Sequence, residues 1–267
     1  MEYTWHDEAP AEANCAPGAV VFSAFPSAGL ATIVAGHYMV RVLSLPRIGR
    51  FESPEVPPIA VVQSGEVNPT IRVYGRPDMA LVLSEFPPTP GQASAAAKTI
   101  LDNAERRKAR AVICLEGVVP HPEAAESEDP EVALAPSDEQ VWVAYSRKDP
   151  AFTKGFEAAN ARTLEEGVIG GVSGALLVQG LSRSVPVAAL LVSARVAEGL
   201  PDNRAAAALI ETLDRLLPEL KIDTGPLRAQ AEQIEKALRA VMKSGQRAQA
   251  NAPIEGTERP PSPEMYR

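Results

Sequence analysis

Met265, Tyr266 and Arg267 set a thioether, a phenol and one further residue with a free carboxylate directly after Arg259, Pro260, Pro261, Ser262, Pro263 and Glu264. Such a trio binds without making or breaking a bond. The carboxylate can accept backbone amides or pair with a lysine, the Tyr266 ring offers a flat apolar body with a hydroxyl, and Met265 fills an irregular cavity. Disordered ends are poor in aromatic residues, so a tyrosine here asks for a reason. The chemistry is that of a three-point peptide key. Residues 245–264 are expected to act as its tether, and a flexible chain of that length spans roughly 25 Å. On an oligomeric body, several such keys would bind one ring together.

Bond-breaking chemistry has thinner support. Glu116 follows an apolar run at 111–115 and precedes Gly117, where an α/β sheet often presents functional groups, so it is the best candidate for a pocket carboxylate. A loop or capping role competes with that reading. The segment 167–174 is glycine-rich but has no lysine at the phosphate-binding position and lacks the dinucleotide spacing. Close helix packing or a tight turn explains Gly167, Gly170, Gly171 and Gly174 more simply than a ligand cradle. Ser173 lies in Gly171-Val172-Ser173-Gly174-Ala175, which lacks the last glycine of a nucleophile elbow. His6, His37 and His121 are far apart and support no closed zinc site, so neither a metal nor a cofactor is expected. Asp138, Glu139, Glu165 and Glu166 read as solvated faces.

The balance of the chain narrows its partners. A formal charge of -8 over 267 residues would repel a phosphate backbone without a strong basic patch. Arg106, Arg107, Lys108 and Arg110 come closest, and they fall at the end of an expected helix, where cations suit the dipole. No nucleic acid is expected. Cys15 and Cys114 are too few for a disulfide scaffold, and Cys114 reads as a small buried hydrophobe. A reducing, cytoplasmic setting is the expectation. Residues 1–10 carry Glu2, Asp7 and Glu8 rather than a basic signal region, and no apolar run approaches the roughly 20 residues of a membrane span.

The elements that must position these groups follow from apolar patterning. Strands are expected at 20–25, 39–45, 59–62, 71–74, 79–84, 111–115, 141–145 and 186–192. Several are too uniformly apolar to have a wet face, which favours a sheet covered on both sides. Helices are expected at 28–38 with Ser27 as cap and from Thr89 to about residue 108, with Thr89, Pro90 and Gln92 forming a helix start. Others follow at 151–164, at about 202–217, and from 223 or 224 onward with Pro226 in the first turn. Residues 120–140, rich in proline and acid, read as a mobile loop. The whole is an α/β fold with a mainly parallel or mixed sheet flanked by helices. A flexible segment at 1–17, one domain at 18–243 and a flexible tail at 244–267 complete the organisation.

The order of several segments resembles the PAC2 family of proteasome assembly chaperones. They are Gly117 after its strand, 167–177 (GVIGGVSGALL), 186–192 leading to Leu200, Pro201 and Asp202, and 216–227 before the last helix. The resemblance implies a fold similar to nucleoside phosphorylases without their chemistry, and a small homo-oligomer. Met265, Tyr266 and Arg267 look like the hydrophobic-tyrosine-any ending of proteasome activators. That likeness implies docking between α-subunits of the 20S core: Met265 in the apolar part of the pocket, Tyr266 beside it, and the Arg267 carboxylate on a lysine. Many relatives lack such an ending, and the acidic loop departs from the family pattern. The alternatives are a small-ligand-binding protein or nucleoside-directed enzyme using Glu116 or 167–174, and a structural oligomer with an incidental tail.

Overall fold

A computed structural model describes residues 2–8, 15–53, 59–63, 65–119, 138–148, 150–196, 200–234 and 236–237. The chain begins with β1 (Thr4–Asp7), β2 (Val20–Ala24), α1 (Ala31–Val42), β3 (Arg47–Glu52), β4 (Val61–Gln63), β5 (Glu66–Asn68), β6 (Ile71–Arg76) and β7 (Met79–Ser84). It continues through α2 (Pro90–Arg106), β8 (Ala111–Val118), β9 (Val141–Tyr145), α3 (Pro150–Ala158), β10 (Arg162–Thr163), α4 (Gly171–Gly180), β11 (Val187–Ser193) and α5 (Asn203–Leu216). A further helix, α6, covers 225–234.

Strands β2, β7 and β11 are buried at every residue, and β8 at its first five. Strands without a wet face belong inside a sheet covered on both sides. The described sheet has nine strands in the order β1-β3-β6-β7-β2-β8-β11-β9-β10, which gathers these four at its centre. They run parallel to one another. Antiparallel pairing of β6 with β7 and of β9 with β11 makes the sheet mixed. Alternation along each strand then sorts two cores. Phe22, Leu83 and Leu115 pack with α1 and α5, while Val21, Val82 and Cys114 pack with α2 and α4.

Local signals set several helix starts. At α2 the Thr89 hydroxyl accepts from Gln92 N and the Gln92 side chain accepts from Thr89 N at 2.9 Å, a full capping box with Pro90 in the first position. At α5 the Asp202 carboxylate accepts from Ala205 N at 3.0 Å.

Elsewhere tertiary packing overrides the pattern. Residues 39–45 read as a strand because of Val40, Val42 and Leu43, yet α1 continues to Val42 and buries Met39 in the core. Strand β3 instead starts beyond Pro46. Ser27, the expected cap, makes no capping bond; a 3-10 turn, Ala28–Leu30, precedes α1. Residues 59–62 do not join the large sheet, since β4 pairs with β5 as a separate hairpin. The helix expected over 151–164 ends at Ala158, where Asn160 takes φ 63° and the chain turns into β10. Within the segment read as a flexible N-terminus, β1 pairs with β3 at the sheet edge, and Trp5 lies against Phe51.

Candidate functional site

The carboxyl edge of the parallel strands holds the groups singled out from the sequence. Strand β8 runs past residue 115 to Val118, so Glu116 sits within the strand rather than after it. Its register partner is Leu191 on β11. Alternation turns Glu116 toward the layer of α2 and α4, and there Ser173, in the first turn of α4, donates to Glu116 Oε2 at 2.6 Å. The sequence offered these two residues as unrelated candidates; the fold joins them. Gly117 N donates to Ser27 Oγ at 2.9 Å, and Ser27 Oγ lies 3.0 Å from Thr32 Oγ1. A Cβ on Gly117 would come within 2.3 Å of Ala28 O, so this close approach of backbones requires glycine.

Electrostatics at Glu116 follow from burial. Taking the carboxyl out of water raises its pKa, the Ser173 hydrogen bond offsets part of the rise, and the group titrates at about 7. A serine nucleophile needs a base that takes its proton and a third group that orients the base. Among the described residues Ser173 has the carboxyl alone, with no histidine beside it. The pair instead ties the first turn of α4 to β8, where a negative charge also suits the helix dipole. Glycine does the expected packing work at Gly174, whose Cβ would fall 2.2 Å from Ile169 O. Gly171 takes φ +61° with open space around it.

The remaining candidates scatter. His6 lies 3.2 Å from Glu52 on the edge strands, His37 is on α1, and His121 lies outside the described residues. Among the described residues no group of three or more His, Cys, Asp or Glu could hold a metal, and no helix is long and apolar enough to cross a membrane. Three of the four residues of the basic run have partners within the body. Arg106 donates to Asn103, Arg107 bonds Asp7 and stacks over Trp5, and Arg110 lies 3.7 Å from Glu219. Both cysteines are free and buried, and burial pushes Cys15 up to about 11 and Cys114 up to about 12. Glu165 and Glu166 are exposed. Glu139, read as a solvated face, is half-buried and pairs with Arg228 at 2.9 Å and Arg204 at 3.5 Å, clasping α5 and α6.

One cluster escaped the sequence reading. Arg72, fully buried on β6, bonds Glu85, which follows β7; His37 Nε2 reaches the same Glu85 oxygen at 2.8 Å. Burial alone would raise the Glu85 pKa. The His37 hydrogen bond and the Arg72 charge outweigh it, and the carboxyl sits below its ordinary value. The available signal was Arg72 itself, an arginine at a core-facing register of an otherwise apolar strand, which demands a carboxylate nearby. Met265, Tyr266 and Arg267 lie outside the described residues.

Comparison with known proteins follows the same outline. The model of the PAC2 family matches residues 21–242. A curated Methanocaldococcus jannaschii protein, described as uncharacterized, is 24% identical over 221 residues, 82% of this chain and 84% of its own length. The fold is similar to that of Pyrococcus furiosus PbaA, described as an archaeal homolog of proteasome-assembly chaperone. The TM-score is 0.76 and the identity 23%, over 94% of this chain and 95% of that one. Pyrococcus furiosus PbaB, described as an archaeal proteasome activator, superimposes with a TM-score of 0.70 at 19% identity, over 90% and 99% of the two chains.

Proposed function

Since the chain belongs to the PAC2 family, we propose that it is an ATP-independent assembly chaperone or accessory factor of the 20S proteasome. It docks on the α-ring of the core particle through Met265, Tyr266 and Arg267. The observation that carries the reading is the coincidence of a family match over 21–242 with a hydrophobic-tyrosine-any sequence at 265–267. The names of PbaA and PbaB, a chaperone homolog and an activator, support the same direction. So does a body whose best-placed carboxyl and serine are engaged in holding a helix to a strand.

The mechanism is recognition. Met265 enters the apolar part of a pocket between adjacent α-subunits, Tyr266 packs beside it with its hydroxyl free to bond, and Arg267 supplies the polar contact. A homo-oligomeric body in the cytoplasm would present several such segments to one ring, and shared effective concentration would multiply a weak single contact.

Capture of purified 20S core particles by the full chain tests this. Tyr266→Ala and a deletion of 265–267 should each reduce capture at least tenfold while leaving thermal unfolding unchanged. Equal capture by all three proteins would end the docking model.

A further inference from the structure

Helix α1 turns Tyr38 and Met39 into the core and leaves Ile33, Val34, His37, Val40 and Arg41 along a cleft of about 750 Å³. Their spacing makes one helical stripe. Tyr74 of β6 and Gln63 of β4 line the cleft from the sheet side, and Leu227 and Gln230 of α6 line it from the helical side. At a rise of 1.5 Å per residue the stripe from Ile33 to Arg41 is about 12 Å long, the length of about four residues of polyproline helix. The floor is mostly apolar and the charged group at its end is the Arg41 cation. No carboxylate is among the described lining residues, although the whole chain carries -8.

We propose that this groove is the docking site for residues 260–266 of the same chain, Pro-Pro-Ser-Pro-Glu-Met-Tyr, of which about four lie along the α1 stripe and the rest extend beyond it. Three features select that occupant. Its prolines favour an extended form that can lie along an apolar groove, here floored by Ile33, Val34 and Val40. It contains one carboxylate, Glu264, and no cation, which complements Arg41. The third feature is where the described body stops: α6 forms a wall of the groove, helical residues 236 and 237 follow, and the intervening residues 238–259 are a tether that, if flexible, would span roughly 26 Å. Tethered at that distance, the segment reaches an effective concentration on the order of millimolar, so a weak groove suffices. On the reading that residues 265–267 engage the core particle, docking in cis withholds them until a stronger site competes.

The test uses the full chain with Ser262→Cys carrying a nitroxide. Cys15 and Cys114 are buried with raised pKa values, so the new thiol labels selectively at neutral pH. Amide signals of Val34, His37 and Val40 should broaden several-fold more than those of α2 in the opposite layer. Val34→Glu should abolish the difference, and Arg41→Glu, at an exposed position, does the same should Val34→Glu fail to fold. Uniform weak broadening overturns the proposal. Broadening that fades on dilution with unlabelled chain also overturns it, since a second copy then supplies the segment. Val34→Glu should also raise core-particle capture about threefold. If the local broadening holds while deletion of 265–267 leaves capture unchanged, the groove stands and the proteasome reading falls.

Discussion

Glu85 and Glu116 stand at the same carboxyl edge of the sheet, one just after β7 and one near the end of β8, with only β2 between those strands. They point to opposite faces and meet different partners. Glu85 turns toward α1 and receives a guanidinium and an imidazole. Glu116 turns toward α4 and receives one hydroxyl. Burial pushes both pKa values up, yet only Glu116 moves upward, to about 7, while Glu85 is held below the usual range. Position at the carboxyl edge therefore does not decide what a carboxyl does. The charge of its partner decides, and the two sites should respond to mutation and pH with opposite signs.

The largest effect should come from breaking the charged member. Arg72→Met leaves Glu85 with His37 alone and removes a fully buried guanidinium whose partner stays behind. Loss of one partner of a buried pair costs about 3–5 kcal/mol, or roughly 10 °C in Tm for a chain of this size. Adding Glu85→Gln should recover part of that loss, because the stranded charge goes with it. Thermal unfolding of the two single variants and the double variant measures the coupling; simple additivity would remove the claim that Arg72 holds Glu85 ionised. Stability from the depressed Glu85 pKa is present above its unfolded value and lost as pH falls through the folded one.

Glu116 should behave in the reverse sense. Its folded pKa of about 7 exceeds the unfolded value, so the fold holds the proton more tightly than the open chain does. Stability is fully present below the unfolded pKa of about 4.3, falls as pH rises toward 7, and is flat beyond. Glu116→Gln keeps an oxygen for Ser173 and cannot ionise. It should stabilise the fold by about 3–4 kcal/mol at pH 8 and by almost nothing at pH 4. Denaturant titrations across that range check it. Parallel pH profiles for the two proteins would mean that Glu116 ionises freely.

How far the sequence reaches is visible in the same two sites. The central strands were legible because β2, β7, β8 and β11 are nearly continuous apolar runs, and α2 was legible because its capping box is a local signal. Strand β3, Arg-Ile-Gly-Arg-Phe-Glu, was not, since its arginines and glycine weaken the apolar pattern and its neighbours across the sheet come from distant segments. Val40 and Val42 favour a strand locally, yet the segment is helical and its inner face, with Ala35, Tyr38 and Met39, is buried in the core. Glu116 was legible as a position at the end of an α/β strand, but its meaning was not. Ser173 lies 57 residues away in the chain, and no spacing rule joins them. The Arg72, Glu85 and His37 cluster is hidden for the same reason, being assembled from β6, the residue after β7, and α1.

The smallest effect sharpens the contrast most. Ser173→Ala removes the single hydroxyl that favours the charged form of Glu116, so the Glu116 pKa should rise further above 7. The cost then depends on pH. Where the carboxyl is protonated, the fold loses only an ordinary hydrogen bond, about 1 kcal/mol. Where it is ionised, a half-buried charge has lost its partner, and the penalty should grow as pH passes from 6 to 9. The same truncation beside Glu85, His37→Ala, should show no such growth over that range, because Arg72 still neutralises the carboxylate. Unfolding free energies of the two variants at pH 6 and pH 9 decide the matter. Equal growth in both would mean that the hydroxyl at Glu116 and the guanidinium at Glu85 are interchangeable, and the difference between the two edges would then lie in exposure alone.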